Sequence, residues 1–147
     1  MNPNSLESIL MNQYQPFDPA AFLKEHDFSI SNYKPGIVCS MCHYVGLEET
    51  PKSGWNCPSC HTFDGQAHVD ALIDFCMIFD QYITVPQVQW FLSLSSLTKA
   101  YELLLSLELS PVIIDEVRKY DLKPILTDEY LGKRELKKLL SSIFISD

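Results

Sequence analysis

Two Cys-x-x-Cys pairs, Cys39/Cys42 and Cys57/Cys60, with fourteen residues between them, constrain this chain more than any other feature. For both pairs to reach one ion, each must sit in a tight knuckle, and two knuckles presented by two hairpins complete a tetrahedron. That is the layout of a zinc ribbon. Four sulfurs in tetrahedral array select Zn²⁺, with iron as the chemical competitor. Four thiolates leave no open coordination position, so the expected site is structural and carries no catalysis. His43 and His61 follow the last cysteine of their knuckles. Either offers a nitrogen in place of one sulfur, and core packing or a redox dithiol are the competing uses of the cysteines. An odd count of five, four of them paired in this way, reads as metal binding in a reducing compartment rather than as a disulfide framework. The fifth, Cys76, falls on an apolar helix face and reads as a core thiol.

The segments around the ribbon have different periods. In 1–36, an N-terminal arm, Ser5 is placed to cap a short helix carrying Leu6, Ile9, Leu10 and Met11, and Asp18-Pro19 predicts a second from Pro19 to about Glu25. Tyr14, Phe17, Phe22 and Phe28 are too many aromatics for a solvated tail, so the arm is expected to pack on the chain or on a partner. In 37–66, Ile37-Val38 predicts the strand entering the first knuckle, and Tyr44, Val45 and Leu47 the strand leaving it. Pro51 to Gly54 supply a turn, and Trp55 opens the second hairpin.

Residues 67–147 read as a helical domain with a C-terminal extension. Val69, Leu72, Ile73, Cys76, Met77 and Phe79 predict one broad apolar helix face as far as about Asp80. Thr84 caps a second helix with Val88, Phe91 and Leu92. After a break at Ser93 to Ser95, Ser96 caps a third with Leu97, Ala100, Leu103, Leu104 and Leu107. Three helices with short turns outline a helix-turn-helix-like unit. Val112 to Ile114 can begin a strand or a helix, and Asp128 to Ser142 reads as helical. The fold class is therefore α+β, a small ribbon followed by a mainly helical module.

Charge limits the function. The chain's net charge is −8, made up of −2 over residues 1–38, −2 over 39–66, −4 over 67–110 and zero over 111–147. Phosphate-backbone binding draws on basic surface, and only Lys99 and the cluster Lys133, Arg134, Lys137 and Lys138 offer candidate nucleic-acid contacts. No glycine-rich phosphate loop or nucleophile set is present, Glu135-x-Lys137 reads as a solvated face, and Asp70 and Asp74 suit the start of a helix. His68 reads as a cap or packing residue before a ligand or base. No apolar stretch approaches the length of a membrane span, and the N-terminus has no basic leader, so a cytoplasmic protein without a membrane partner is expected.

The run Trp55-x-Cys57-Pro58-x-Cys60, then Ala67-His68-Val69-Asp70-Ala71-Leu72-Ile73-Asp74-Phe75, Ile83-Thr84 and "FLSLSS", resembles the C-terminal region of some bacterial proteins with a nuclease-related (NERD) domain. The resemblance covers residues 37 to 109 and implies a zinc ribbon followed by a helix-turn-helix-like module. It marks Cys39, Cys42, Cys57 and Cys60 as ligands and Ala67-His68 as the junction to the helices, and it carries over no catalytic residue. Residues 1–38 are too short to hold the nuclease-related domain. Such proteins close the third helix with a Gly- and Arg-rich hairpin, a wing that the resemblance does not carry over to "PVIIDEVRKYDLKPILTDEYLGKRELKKLL". The expected function is a non-catalytic, zinc-binding regulatory or protein-interaction module whose partner is another protein or a second copy. The alternative is a DNA-binding helix-turn-helix regulator, which the acidic charge disfavours.

Overall fold

The computed structural model describes residues 17–28, 34–51, 54–127 and 131–132. Over these the chain is α+β, four α-helices with two three-stranded antiparallel sheets. The expected cap at Ser5, Tyr14, and most of the helix expected over Asp128 to Ser142 lie outside the described residues.

The arm helix α1 (Pro19–Glu25) forms where the Asp18-Pro19 signal places it: the Asp18 carboxylate accepts from the Ala20 and Ala21 amides. The arm packs on the chain itself. Leu23 is fully buried, Phe22 stacks on Phe75 with ring centroids 5.9 Å apart, and Phe17 and Phe22 both meet Trp90 edge-on.

The ribbon strands are short because the knuckles use most of the backbone hydrogen bonds. Val38 and Val45 form a single bridge, and the strand leaving the first knuckle is β1 (Glu48–Glu49), later than Tyr44 to Leu47 suggested. It pairs with β2 (Trp55–Asn56), which pairs with β3 (Phe63–Asp64). The ribbon is also tied by its backbone to the helices: the Gly36 amide donates to the Phe91 carbonyl at 3.0 Å. Gly36 adopts φ +136°, a conformation side chains rarely adopt, and a Cβ there would press on Gly46.

Helix α2 (Ala67–Ile78) buries Ala67, Val69, Ala71, Leu72, Ile73 and Phe75, more than one stripe, because ribbon, arm and the later helices surround it. It ends before Asp80, whose carboxylate turns back to accept from the Tyr82 amide. Met77, expected on the buried face, is instead 75% exposed, and Cys76 is half-buried. Beyond β4 (Tyr82–Ile83), a reciprocal capping box between Thr84 and Gln87 starts α3 (Val85–Phe91). Ser93 in the left-handed region ends it, and the Ser96 hydroxyl caps α4 (Leu97–Ser106) by accepting from Lys99 N–H.

The chain then forms a hairpin, β5 (Pro111–Ile114) and β6 (Val117–Asp121), so Val112 to Ile114 begin a strand and not a helix. Its β-branched residues suit a strand, but its turn residues, Asp115 and Glu116, both adopt positive φ without the glycine or asparagine that normally marks such a turn. β6 also pairs with β4, giving the sheet order β4-β6-β5. Tyr120, Leu122 and Ile125 close the core beneath it. A single cluster of buried residues runs from Ile37 to Ile125 and includes side chains of both ribbon and helices.

Two consequences are measurable. Phe22→Ala removes the ring that joins the arm to Phe75, Phe79 and Trp90 and should cost about 3 kcal/mol in denaturant unfolding. Asp121 accepts from the Gln81 side-chain amide and from Lys123 N–H, both at 2.9 Å, and the Gln81 bond is the main cause of its depressed pKa. A depressed folded pKa means that this contribution is complete above the unfolded carboxylate value of about 3.9 and is lost as pH falls through the lower folded value. Asp121→Asn should therefore flatten the acid limb of the stability profile.

Candidate metal centre

The two knuckles are built alike, eighteen residues apart. Cys39 N–H donates to the Tyr44 carbonyl (2.8 Å) and His43 N–H to the Cys39 carbonyl (2.9 Å); Cys57 N–H donates to the Thr62 carbonyl (3.0 Å) and His61 N–H to the Cys57 carbonyl (2.8 Å). His43 and His61 take up the left-handed conformation at φ +65° and +63°, turning the chain back after each second cysteine. Both are exposed, and neither belongs to the cluster of candidate ligands. The backbone also points donors at sulfur: Met41 N–H reaches Cys39 Sγ and Cys60 N–H reaches Cys57 Sγ, each at 3.4 Å.

The four sulfurs meet across the knuckles. Cys39 Sγ lies 3.6 Å from Cys60 Sγ, Cys42 Sγ lies 3.5 Å from Cys57 Sγ, and all four lie within 4.8 Å of one another. Metal–sulfur bonds of about 2.3 Å in a tetrahedron require sulfur–sulfur edges of about 3.8 Å. The donor set therefore fits one tetrahedral metal ion, which would offset part of the charge of four thiolates. It is the sole such group among the described residues.

The sulfurs are not equivalent. Cys39 and Cys57 are buried, Cys42 is half-buried and Cys60 is exposed. Burial pushes the Cys39 thiol up to about 12, whereas the Thr62 hydroxyl, 3.0 Å from Cys60 Sγ, and the Thr62 backbone bring Cys60 down to about 6. Without a cation, the cluster therefore divides into a sulfur that holds its proton and one that gives it up. A divalent ion supplies the charge that lets the buried member ionise as well.

Trp55 connects the metal centre to α2. Buried beside Cys57, it donates from indole Nε1–H to His68 Nδ1 at 2.9 Å. His68 thus has a packing and hydrogen-bonding role. Glu49 is a residue the sequence did not single out: it reaches Lys99 on α4 at 3.7 Å, and no local pattern announces a contact between a ribbon strand and a helix fifty residues later. Glu49, Trp55, His68, Lys99, Glu102 and Ser106 line a cleft of about 240 Å³ between ribbon and α4. Of the candidate nucleic-acid contacts, Lys99 is thus held against the ribbon, and Lys133, Arg134, Lys137 and Lys138 lie outside the described residues. No helix among the described residues is long and apolar enough to cross a membrane.

Cobalt titration tests the ligand set. Wild type and Cys76→Ser should each bind one Co²⁺ with the intense visible bands of a four-sulfur tetrahedral site. Cys42→Ser and Cys60→Ser should lower affinity at least ~10-fold and weaken the sulfur-to-metal charge-transfer band. No family model, curated protein or solved structure matches this chain.

Proposed function

We propose that this chain is a non-catalytic zinc-binding module whose helix-turn-helix-like body serves protein interaction or regulation. The carrying observation is the position of Lys99. It is the sole base in residues 67–110, on the exposed side of α4, and it is paired with Glu49 of the ribbon while Glu102 lines the same cleft. In a helix-turn-helix binder the equivalent helix presents bases to phosphates and base edges. Here that helix carries one base and one acid, Lys99 and Glu102, and the base is turned toward Glu49 of the ribbon. The closed set of four sulfurs supports zinc in a structural role, because a full tetrahedral shell leaves no position for substrate or water. Zinc bound only in the folded state contributes on the order of 10 kcal/mol to folding, more than a sheet of two-residue strands can supply.

A second reading, a DNA-binding regulator, draws on one observation. The order α2, β4, α3, α4, β5, β6 with sheet order β4-β6-β5 is that of a winged helix. Against it, the tip of the hairpin is Asp115-Glu116, where a wing that grips phosphate would be basic.

Fluorescence anisotropy on the metal-loaded chain separates the two. The interaction reading predicts weak binding to duplex and single-stranded DNA that changes little with Lys99→Ala. Tight binding that falls about 10³-fold between about 50 and 200 mM salt, as contact with roughly six phosphates requires, and that Lys99→Ala weakens, establishes the DNA reading instead.

A further inference from the structure

The four sulfurs of the metal centre differ in what surrounds them. Cys39 and Cys57 are buried, and their sulfurs accept from backbone amides, Met41 N–H and Cys60 N–H, each at 3.4 Å. Cys60 is the exposed member, and a side chain meets it: Thr62 Oγ1 lies 3.0 Å from Cys60 Sγ. A sulfur that ligates a metal is a thiolate with no proton to give, so in the metal-bound centre the hydroxyl is the donor in this contact. Thr62 is itself held in place by its backbone, because its carbonyl accepts from Cys57 N–H at 3.0 Å and so closes the second knuckle.

The first knuckle uses the equivalent position differently. Eighteen residues earlier stands Tyr44, whose carbonyl likewise accepts from Cys39 N–H. Its hydroxyl is at the far end of a ring, and the Lys34 ammonium lies 5.9 Å from that ring's centroid. The hydroxyl on sulfur therefore belongs to the second knuckle and is not a property of the knuckle turn. Four thiolates around one divalent ion leave an anionic centre, and each sulfur keeps a lone pair able to attack an electrophile. Attack also requires access. The core covers Cys39 and Cys57, Cys42 is half-buried, and Cys60 is open to solvent. A hydrogen bond donated to a thiolate draws on the same electron density, so the hydroxyl sits where it lowers the reactivity of the one accessible sulfur.

We propose that Cys60 is the sulfur through which the metal centre reacts with soft carbon electrophiles, and that Thr62 is a positioning residue whose hydroxyl restrains it. With a haloacetamide, the Cys60 lone pair forms a C–S bond, the carbon–halogen bond breaks, and halide leaves with its electron pair. The thioether product is uncharged and a weaker donor than a thiolate, so the set of four loses a member. The ribbon strands, two residues each, cannot hold the sheet together in its place. Resting on the zinc-binding reading above, this assignment makes the ribbon a clasp with a single chemical point of entry.

Iodoacetamide treatment of the full-length, zinc-loaded chain tests this, with peptide mapping to order the modified cysteines and a chromophoric chelator to follow released zinc. Of the four ligands, Cys60 should be modified first, and zinc release should keep pace with it. Thr62→Val keeps the carbonyl and the branched shape while removing the donor, and it should speed both about 10-fold, the effect of one charge-assisted hydrogen bond. Thr62→Ser should return both to near the wild-type rate. In the cobalt form, Thr62→Val should move the sulfur-to-metal charge-transfer band to lower energy, because sulfur lone pairs lie higher without the hydrogen bond, and Thr62→Ser should move it back. A purely structural role for Thr62 overturns the proposal; its sign is an unmoved band while all four cysteines are modified faster together. First modification at Cys39, Cys42 or Cys57 overturns it too, as does a Thr62→Val rate equal to wild type. Metal content measured beforehand keeps the two readings apart. A chain that holds one zinc and fails these tests refutes the Cys60 assignment alone, whereas one that holds none refutes zinc binding as well.

Discussion

The convergence of two buried thiols with the hydrophobic core is the constraint on which the rest of this structure depends. Cys39 and Cys57 are metal-ligand candidates and members of the same buried cluster as Trp55, Val69 and Phe75. Closing the knuckles around an ion therefore also fixes one wall of the core. The ribbon sheet has strands of two residues, far below what holds a sheet together unaided. Its order has to come from the sulfurs on one side and from packing on α2 on the other. Trp55 links the two supports, since it is a β2 residue, a neighbour of Cys57 and a hydrogen-bond donor to His68 on α2.

Metal binding and folding are for this reason coupled beyond the knuckles. The Cys39 thiol is raised because a charged sulfur in that position is poorly solvated. Cys60, aided by the Thr62 hydroxyl and backbone, is shifted the opposite way. A divalent ion removes this asymmetry and lets four thiolates share one centre. The ribbon also touches the later helices, α3 through the Gly36–Phe91 backbone bond and α4 through the exposed Glu49–Lys99 pair.

What was legible in the sequence followed from short-range chemistry. Asp18-Pro19, Thr84 and Ser96 each sit at a helix start that the structure reproduces, because a cap is satisfied by residues two or three positions away. Each Cys-x-x-Cys turn was legible for the same reason, whereas the meeting of the two knuckles joins residues 15 and 21 apart and followed from the single ion that both pairs can reach. The hairpin at Pro111–Asp121 was not legible as such. Its turn uses Asp115 and Glu116 at positive φ, and a sequence carries no sign of that when the usual glycine is missing. Met77 was placed on the wrong side because the buried face of α2 is bounded by Asp70 and Asp74, and Met77, three residues beyond Asp74, falls on their side of the helix near its exposed C-terminal end. The Glu49–Lys99 contact joins residues fifty apart, and only the packing of ribbon on helices creates it.

That last contact bears most on function, since topology and charge point in different directions. The order of helices and strands is compatible with a nucleic-acid binder and with a protein-interaction module alike. Shape alone does not distinguish such a binder from a protein-interaction module. Charge does. α4 carries one base, and the ribbon supplies Glu49 to meet it; the hairpin tip carries two acids. A phosphate backbone approaching this face would have to displace an existing ion pair and then meet Glu102, gaining little counterion release. By placing Glu49 against Lys99, the ribbon adds a second acid to the cleft that Glu102 lines.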